Sequence, residues 1–370
     1  MNIMVASRLQ INSEVRHGVI KGRGTAVNPP NRFESASREA FDDGWEREED
    51  TPRPRTTLLR DASRSIIARN DSPDLAFSQS VNPYRGCEHG CIYCFARPSH
   101  AYLGFSAGLD FETQIVFKPE APHLLEKELS RPGYKPGVIV LGSNTDPYQP
   151  VERTLALTRA VLEVLERFGN PVAIVTKSAG VLRDADILAR MARRHLAKVY
   201  VSITTLDPAL ARAMEPRAAS PARRLAAISE LDAQGIPAGV MAAPMIPGVN
   251  DAELESILQA AAAAGARTAH SGIVRLPHEL APLFTDWLEK HLPGRASHVL
   301  SLIRQSRAGP LNDPRFHTRQ TGSGPYAEML RQRVARAIRQ LGLEDGDTPL
   351  DCTQFAAPRV ASAVAQLSLF

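Results

Sequence analysis

From about residue 77 onward, short runs rich in β-branched residues alternate with longer amphipathic stretches. The runs are FETQIVFKP (111–119), GVIVLGSN (137–144), PVAIVTKS (171–178), KVYVSITT (198–205), PAGVMAAPMI (237–246) and HSGIVRLP (270–277), each predicted to be a buried strand. Between the second and third, VERTLALTRAVLEVLERF puts Val151, Leu155, Leu162, Leu165 and Phe168 on one helical face, and Gly169 follows as a stop signal. Similar helices are predicted over 183–195, 221–234 and 251–264, the last with the Asn250-Asp251 pair as its N-cap. This alternation predicts an α/β fold with a parallel sheet and right-handed crossovers, either an open doubly wound sheet or a barrel. Both put working residues at the C-terminal ends of strands, where GSNTD, TKS, SITT and APMIPGVND fall.

Outside that array the pattern changes. Residues 1 to about 60 are rich in Arg, Glu, Asp, Asn, Pro and Ser with no sustained period, which predicts a largely disordered or loosely docked arm. After residue 278 the chain reads as helical over 279–292, 297–306 and 325–341, and the glycine-rich TGSGPY between the last two is a turn. The expected organisation is an arm over 1–76, a core over 77–280, a helical extension over 281–345 and a tail over 346–370.

Composition sets outer bounds. Of 370 residues, 43% are hydrophobic, enough to fill a sizeable core. No apolar run approaches the roughly 18 residues of a membrane helix, and MNIMVASRLQINSEVRHG lacks the basic-then-apolar order of a secretion signal, so a cytoplasmic protein is expected. The formal charge of +4 is mild for this length and announces no nucleic-acid binder by itself. Eight arginines do fall between Arg304 and Arg339, and Arg331, Arg333, Arg336 and Arg339 share one predicted helix. Such a face meets phosphates, or it is a solvated surface whose arginine stems cover apolar area.

Three of the four cysteines, Cys87, Cys91 and Cys94, lie in RGCEHGCIYCFARPSH with the spacing Cys-x3-Cys-x2-Cys. In a reducing compartment they read as metal ligands, not as a disulfide framework. The neighbouring glycines let a short loop wrap closely around an inorganic core. Spacing leaves two readings open. One is a structural zinc site completed by His89 or His100 as Cys3His; the other is a four-iron cluster on three thiolates, with one iron left open. The two histidines otherwise read as loop-packing residues.

With an aromatic, Tyr93, before the third cysteine and a β/α array behind it, this motif resembles that of the radical S-adenosylmethionine (radical SAM) superfamily, over roughly residues 77 to 280. Within it, NPYRGCEHGCIYCFAR, GSNTDPYQPVE, TKS, VSITT and MAAPMIPGVND together resemble the spore photoproduct lyase-like group. The resemblance implies a partial (β/α)6 TIM-like barrel carrying a [4Fe-4S] cluster whose open iron chelates S-adenosylmethionine. It implies an enzyme that cleaves S-adenosylmethionine to a 5′-deoxyadenosyl radical for hydrogen abstraction from a substrate. Position by position, Cys87, Cys91 and Cys94 match the cluster ligands, and Tyr93 and Phe95 match aromatics that lie along the adenine. Thr145 and Asp146 match positions at the methionine end, Lys177 a lysine for the methionine carboxylate, and Ser202 a polar contact to the nucleoside. The implied partners are a one-electron reductant such as a flavodoxin or ferredoxin, and a nucleic acid or nucleotide met through Arg331, Arg333 and Arg336.

The resemblance breaks at Ser143. The lyase returns a hydrogen atom from a cysteine on the second core strand, and an O–H bond is too strong to replace S–H there, so thymine-dimer repair by that route is not expected. Cys352, in GDTPLDCTQF, is the remaining candidate for a catalytic radical relay, against a passive small residue. Arg275, on the sixth predicted strand, pairs with an anionic substrate or with a carboxylate of the fold. The lyase group's substrate-recognition hairpin is not evident after residue 280. Two other classes stay in view: a non-catalytic protein with the Cys3His zinc site, and an electron-transfer iron–sulfur protein that does not bind S-adenosylmethionine.

Overall fold

The structure, a computed structural model, describes residues 19–33, 54–343 and 349–357. The rest of the predicted arm and tail lies outside the described residues. Ten strands form in chain order: β1 Thr57–Arg60, β2 Ile67–Arg69, β3 Gln79–Val81, β4 Tyr84–Arg85, β5 Gln114–Phe117, β6 Ile139–Leu141, β7 Val172–Thr176, β8 Ala197–Ser202, β9 Ala238–Met245 and β10 Thr268–Ile273. Seven make one sheet in the order β10-β9-β8-β7-β6-β3-β2, with β2 antiparallel and the other six parallel. β10 and β2 stand at opposite ends of that order, so the expected partial (β/α)6 barrel is open on one side, with one added edge strand.

The apolar runs form strands because both faces of this sheet are covered. Ile139 and Leu141, Val172 and Ile174, and Val199 and Val201 are fully buried, sharing a core with Val161, Leu165, Leu188, Ile228 and Ile257 of the helices Leu157–Phe168, Ala185–Ala192, Pro221–Ala233 and Leu254–Ala263. Strand alternation then turns Lys198, Tyr200 and Ser202 toward the other face, into the barrel.

Several expectations are corrected. The run 111–119 does not enter the barrel: Leu109–Thr113 is helical, and β5 pairs with β1 and β4 in a separate three-stranded sheet. The first barrel strand is β3. The stretch 151–168 breaks at Ala156, whose φ of 50° separates the helices Glu152–Leu155 and Leu157–Phe168. Buried Glu152 explains the break, because its carboxylate accepts from the Tyr84 hydroxyl, from Thr158 N at 3.1 Å and from Arg183 at 2.7 Å, and so caps the second helix. Asn250 does not cap its helix; its side chain accepts from Ile246 N and donates to Thr204 O, both at 2.6 Å, tying the loops after β9 and β8 together.

The described parts of the predicted arm are built into the fold. Residues 54–76 supply β1 and β2, and 19–33 run behind the cysteine loop without regular secondary structure. Asp74, between β2 and β3, is gripped by Arg319 from beyond β10 at 2.6 and 2.7 Å and accepts from His317 N at 3.2 Å. Residues 349–357 strap the N-terminal ends of the strands, where Asp351 N donates to His195 O at 3.0 Å and Ala356 N to Phe168 O at 2.9 Å. The helix Gly324–Leu341 lies on Leu254–Ala263. No helix among the described residues is long and apolar enough to cross a membrane.

Candidate active site

The cysteine loop leaves the C-terminal end of β3. Gly86 (φ 79°) and Gly90 (φ 69°) turn it, and Cys87 N donates to Phe111 O at 2.9 Å while Ile92 N donates to Met214 O at 3.0 Å. Its inner scaffold is the fully buried Arg97. The guanidinium spends five donors on five acceptors: Cys91 O at 2.9 Å, Gly90 O at 3.0 Å, Ala107 O at 3.2 Å, Gly108 O at 3.0 Å and Glu112 Oε1 at 2.5 Å. Four of those acceptors are backbone carbonyls of the cysteine loop and of the turn before Leu109–Thr113, so a single side chain shapes the loop that carries the thiols.

The arm completes this scaffold from outside. Gly24 N donates to Glu112 Oε2 at 2.9 Å, and Arg23 donates to Glu112 O at 2.8 Å. Gly24 approaches the loop so closely that a Cβ there would sit 1.8 Å from Gly90 O.

Burial pushes all three thiols above their ordinary pKa, with the Asp146 charge adding to the effect at Cys87 and Glu215 at Cys91. Bare thiolates are therefore unfavourable here, and a bound cationic centre is what makes the ligand form stable. The donor set fits a cluster better than a single ion. Among the described residues no three His, Cys, Asp or Glu side chains converge as one metal ion requires, whereas a cluster takes each thiolate on a different iron. Neither histidine is aimed as a fourth zinc ligand. His89 Nδ1 faces Asp146 Oδ2 at 3.4 Å, and the His100 ring is packed on Phe105 and Phe111 with its pKa lowered by burial to about 4.

The facing wall comes from the C-terminal ends of β7 and β8. Lys177 Nζ donates to Ser202 Oγ at 2.6 Å and lies 5.7 Å from the centre of the Tyr93 ring. Burial lowers its pKa. The nearest carboxylate is Glu215, at 4.0 Å. Glu215 is itself buried and accepts from the Tyr93 hydroxyl, from Thr204 at 2.7 Å and from Arg224. It binds the aromatic of the cysteine motif to the wall that carries Lys177 and Ser202. Sequence reading missed it, since Glu215 is a lone acid past the helix Pro208–Met214 and belongs to no periodic pattern.

Cys87, Cys91, Cys94, Tyr93, Lys177, Ser202 and Asp146 are thus brought together, but two of the expected contact residues have other partners. The Thr145 hydroxyl donates to Tyr84 O at 2.8 Å. Asp146 accepts from Thr176 and Lys177 N, both at 2.7 Å, and from Tyr148 N at 2.8 Å. Burial would raise the Asp146 pKa, but His89 and these hydrogen bonds hold it at about 2. Both residues brace the site. Phe95 is 43% exposed at the mouth, with the Arg275 guanidinium 4.4 Å from its ring centre. Ser143 accepts from the Asn82 amide at 3.2 Å.

Two sets lie elsewhere. Cys352 is in the strap, its thiol directed at Leu350 O at 3.9 Å and beside the backbone of Val138, just before β6. That is the N-terminal end of the sheet, opposite the cysteine loop, so the relay candidate is separated from the chemistry by the depth of the barrel. On the arginine helix, Arg331 is paired with Glu328 and Arg333 with Glu255, each at 2.5 Å, while Arg336 is exposed. Two of the three phosphate candidates are already balanced by carboxylates.

A family profile described as the Radical SAM superfamily matches residues 81–261. The uncharacterized protein Rv2578c of Mycobacterium tuberculosis is 37% identical over 277 residues, 74% of this chain and 78% of its own length. The radical SAM Nalpha-GlyT isomerase of Pseudomonas phage M6 is 23% identical over 273 residues, 72% of this chain and 53% of that protein. Among solved structures, spore photoproduct lyase complexed with dinucleoside spore photoproduct shares the fold with a TM-score of 0.55 and 17% identity, over 77% of this chain and 79% of that one. Superfamily members use a [4Fe-4S] cluster and S-adenosylmethionine, which is what the three thiols and the facing lysine suit. The family profile and the buried three-cysteine loop at the mouth of an open α/β barrel agree, and the chain belongs to the radical SAM superfamily.

Proposed function

We propose that this radical SAM enzyme abstracts hydrogen from a nucleic acid or nucleotide, with Cys87, Cys91 and Cys94 holding the cluster and Lys177 and Ser202 holding S-adenosylmethionine. The observation that carries the cofactor assignment is the Lys177–Ser202–Glu215 wall facing the Tyr93 ring, a buried ammonium with a hydroxyl at 2.6 Å and a carboxylate already committed to Arg224. A buried ammonium so placed favours an added anion, and the carboxylate of S-adenosylmethionine supplies one. Reduced cluster and S-adenosylmethionine together supply a 5′-deoxyadenosyl radical. The residues around them orient the cofactor, and the barrel wall excludes water. Tyr93 packs the motif against Glu215, Asp146 fixes the Lys177 backbone, and Thr145 anchors its strand end to Tyr84.

The substrate class is supported by two likenesses. The structurally similar lyase is complexed with a dinucleoside, and the phage relative is a GlyT isomerase. Ser143 and the distant Cys352 leave no thiol at the site beyond the three proposed to hold the cluster, which separates the proposed reaction from the lyase's own. An electron carrier such as a flavodoxin or ferredoxin is the proposed reductant.

Anaerobic reconstitution with iron and sulfide, reduction, and chromatography for 5′-deoxyadenosine tests the cofactor chemistry. Wild type is expected to form it and Cys91→Ala to form none; equal product from both overturns the assignment. In the same assay Cys352→Ser is expected to match wild type, with a stability change within about 0.5 kcal/mol, as for an ordinary surface site. A lost signal in that variant would restore a role for the thiol.

A further inference from the structure

Three guanidiniums gather beyond the end of β10, and they are not alike. Arg307 is fully buried and spends its donors on the carbonyls of Ile273, Val274, Thr318 and Arg319. Arg319 is paired with Asp74. Arg275 makes no hydrogen bond or ion pair among the described residues, and only its face is used, 4.4 Å from the centre of the Phe95 ring. Burial and the neighbouring Arg319 charge lower its pKa. Arg275 is thus a half-buried planar cation with all its donors unspent, stacked on the residue that follows Cys94, and the carboxylate that acts on it, Asp74, is committed to Arg319.

The anion Arg275 would take is not the one proposed for Lys177. Lys177 follows β7 and Arg275 follows β10, three strand spacings apart in the sheet order, or about 14 Å measured along it. Lys177 is turned to Ser202 and the Tyr93 ring and Arg275 to the Phe95 ring, so the two cations present separate anion positions at the mouth. The stacked guanidinium keeps its fork free for two parallel hydrogen bonds to a phosphate, and the exposed part of Phe95 offers a π-face to a base. Single-stranded nucleic acid presents both features one after the other.

We infer that Arg275, held flat on Phe95, is the phosphate grip of the substrate site and that Phe95 is its base-stacking platform. This rests on the nucleic-acid reading above and narrows it to a strand presenting one unstacked nucleotide.

The test is fluorescence anisotropy of a labelled eight-nucleotide oligothymidylate with reconstituted protein and S-adenosylmethionine, repeated over a range of salt. Cluster absorbance is read first to show that each variant is folded. Arg275→Gln is expected to weaken binding about tenfold and to reduce the slope of log K against log salt by about 0.7, the share of one single-strand phosphate contact. Arg275→Lys keeps the charge and loses the fork, so it is expected to weaken binding several-fold with the slope unchanged. Phe95→Leu is expected to lose about tenfold with the slope unchanged, as for a lost stacking contact. Wild-type affinity and slope in Arg275→Gln overturn the grip and leave the nucleic-acid reading standing; no binding by wild type overturns both.

Discussion

Arg97→Met is expected to unfold the cluster site: a loss of about 3–5 kcal/mol in stability, and protein that retains almost no iron after reconstitution. The size follows from what is left behind. Arg97 and Glu112 are both fully inaccessible, and Glu112 keeps a pKa raised by burial even with the guanidinium beside it. Without that partner Glu112 takes a proton or remains an uncompensated charge, the carbonyls of Gly90 and Ala107 lose their side-chain donor, and those of Cys91 and Gly108 keep only the turn bonds from Cys94 N and Phe111 N. Each orphaned buried carbonyl carries its own desolvation cost. Denaturant unfolding and iron per chain measure both effects. Wild-type iron content in the variant would mean that the cluster itself organises the loop.

Gly24→Ala is the second large effect, and it lies outside the residues matched by the superfamily profile. The new methyl would meet Gly90 O at 1.8 Å, a backbone atom in a left-handed turn between Cys87 and Cys91. The neighbouring turn cannot yield without moving Cys87 or Cys91, so the arm must lift, giving up the hydrogen bonds from Gly24 N and Arg23 to Glu112. Expected are about 1–3 kcal/mol of destabilisation, as for other overpacked sites, and faster release of iron on exposure to a chelator. Hydrogen exchange at residues 20–30 locates the change. An unchanged chelation rate would show that the arm is ornamental to cluster retention.

These two residues mark where sequence reading stopped. Five of the six barrel strands were legible because parallel strands covered on both faces are continuous apolar runs; β6 to β10 each lie within a few residues of one. β3 was not, because QSV is three residues long and two of them are polar, with Gln79 satisfied only by Tyr134 and the Lys135 carbonyl. The three thiols were legible for the same local reason, being spaced within eight residues. Glu215 reaches Tyr93 across 122 residues and Gly24 reaches Glu112 across 88, and no periodicity encodes such a meeting. Thr145 and Asp146 fell at the right strand end, yet position alone did not disclose that backbone neighbours claim their oxygens.

The grip of Arg319 on Asp74 sets one further property. A barrel sealed by strand pairing widens only by tearing a ladder of main-chain hydrogen bonds, whereas among the described residues β2 and β10 share no ladder, and Asp74 on one margin is held by Arg319 and His317 N from the other. Opening the barrel on that side therefore costs the contacts to Asp74 and leaves every strand ladder of the six-strand arc intact.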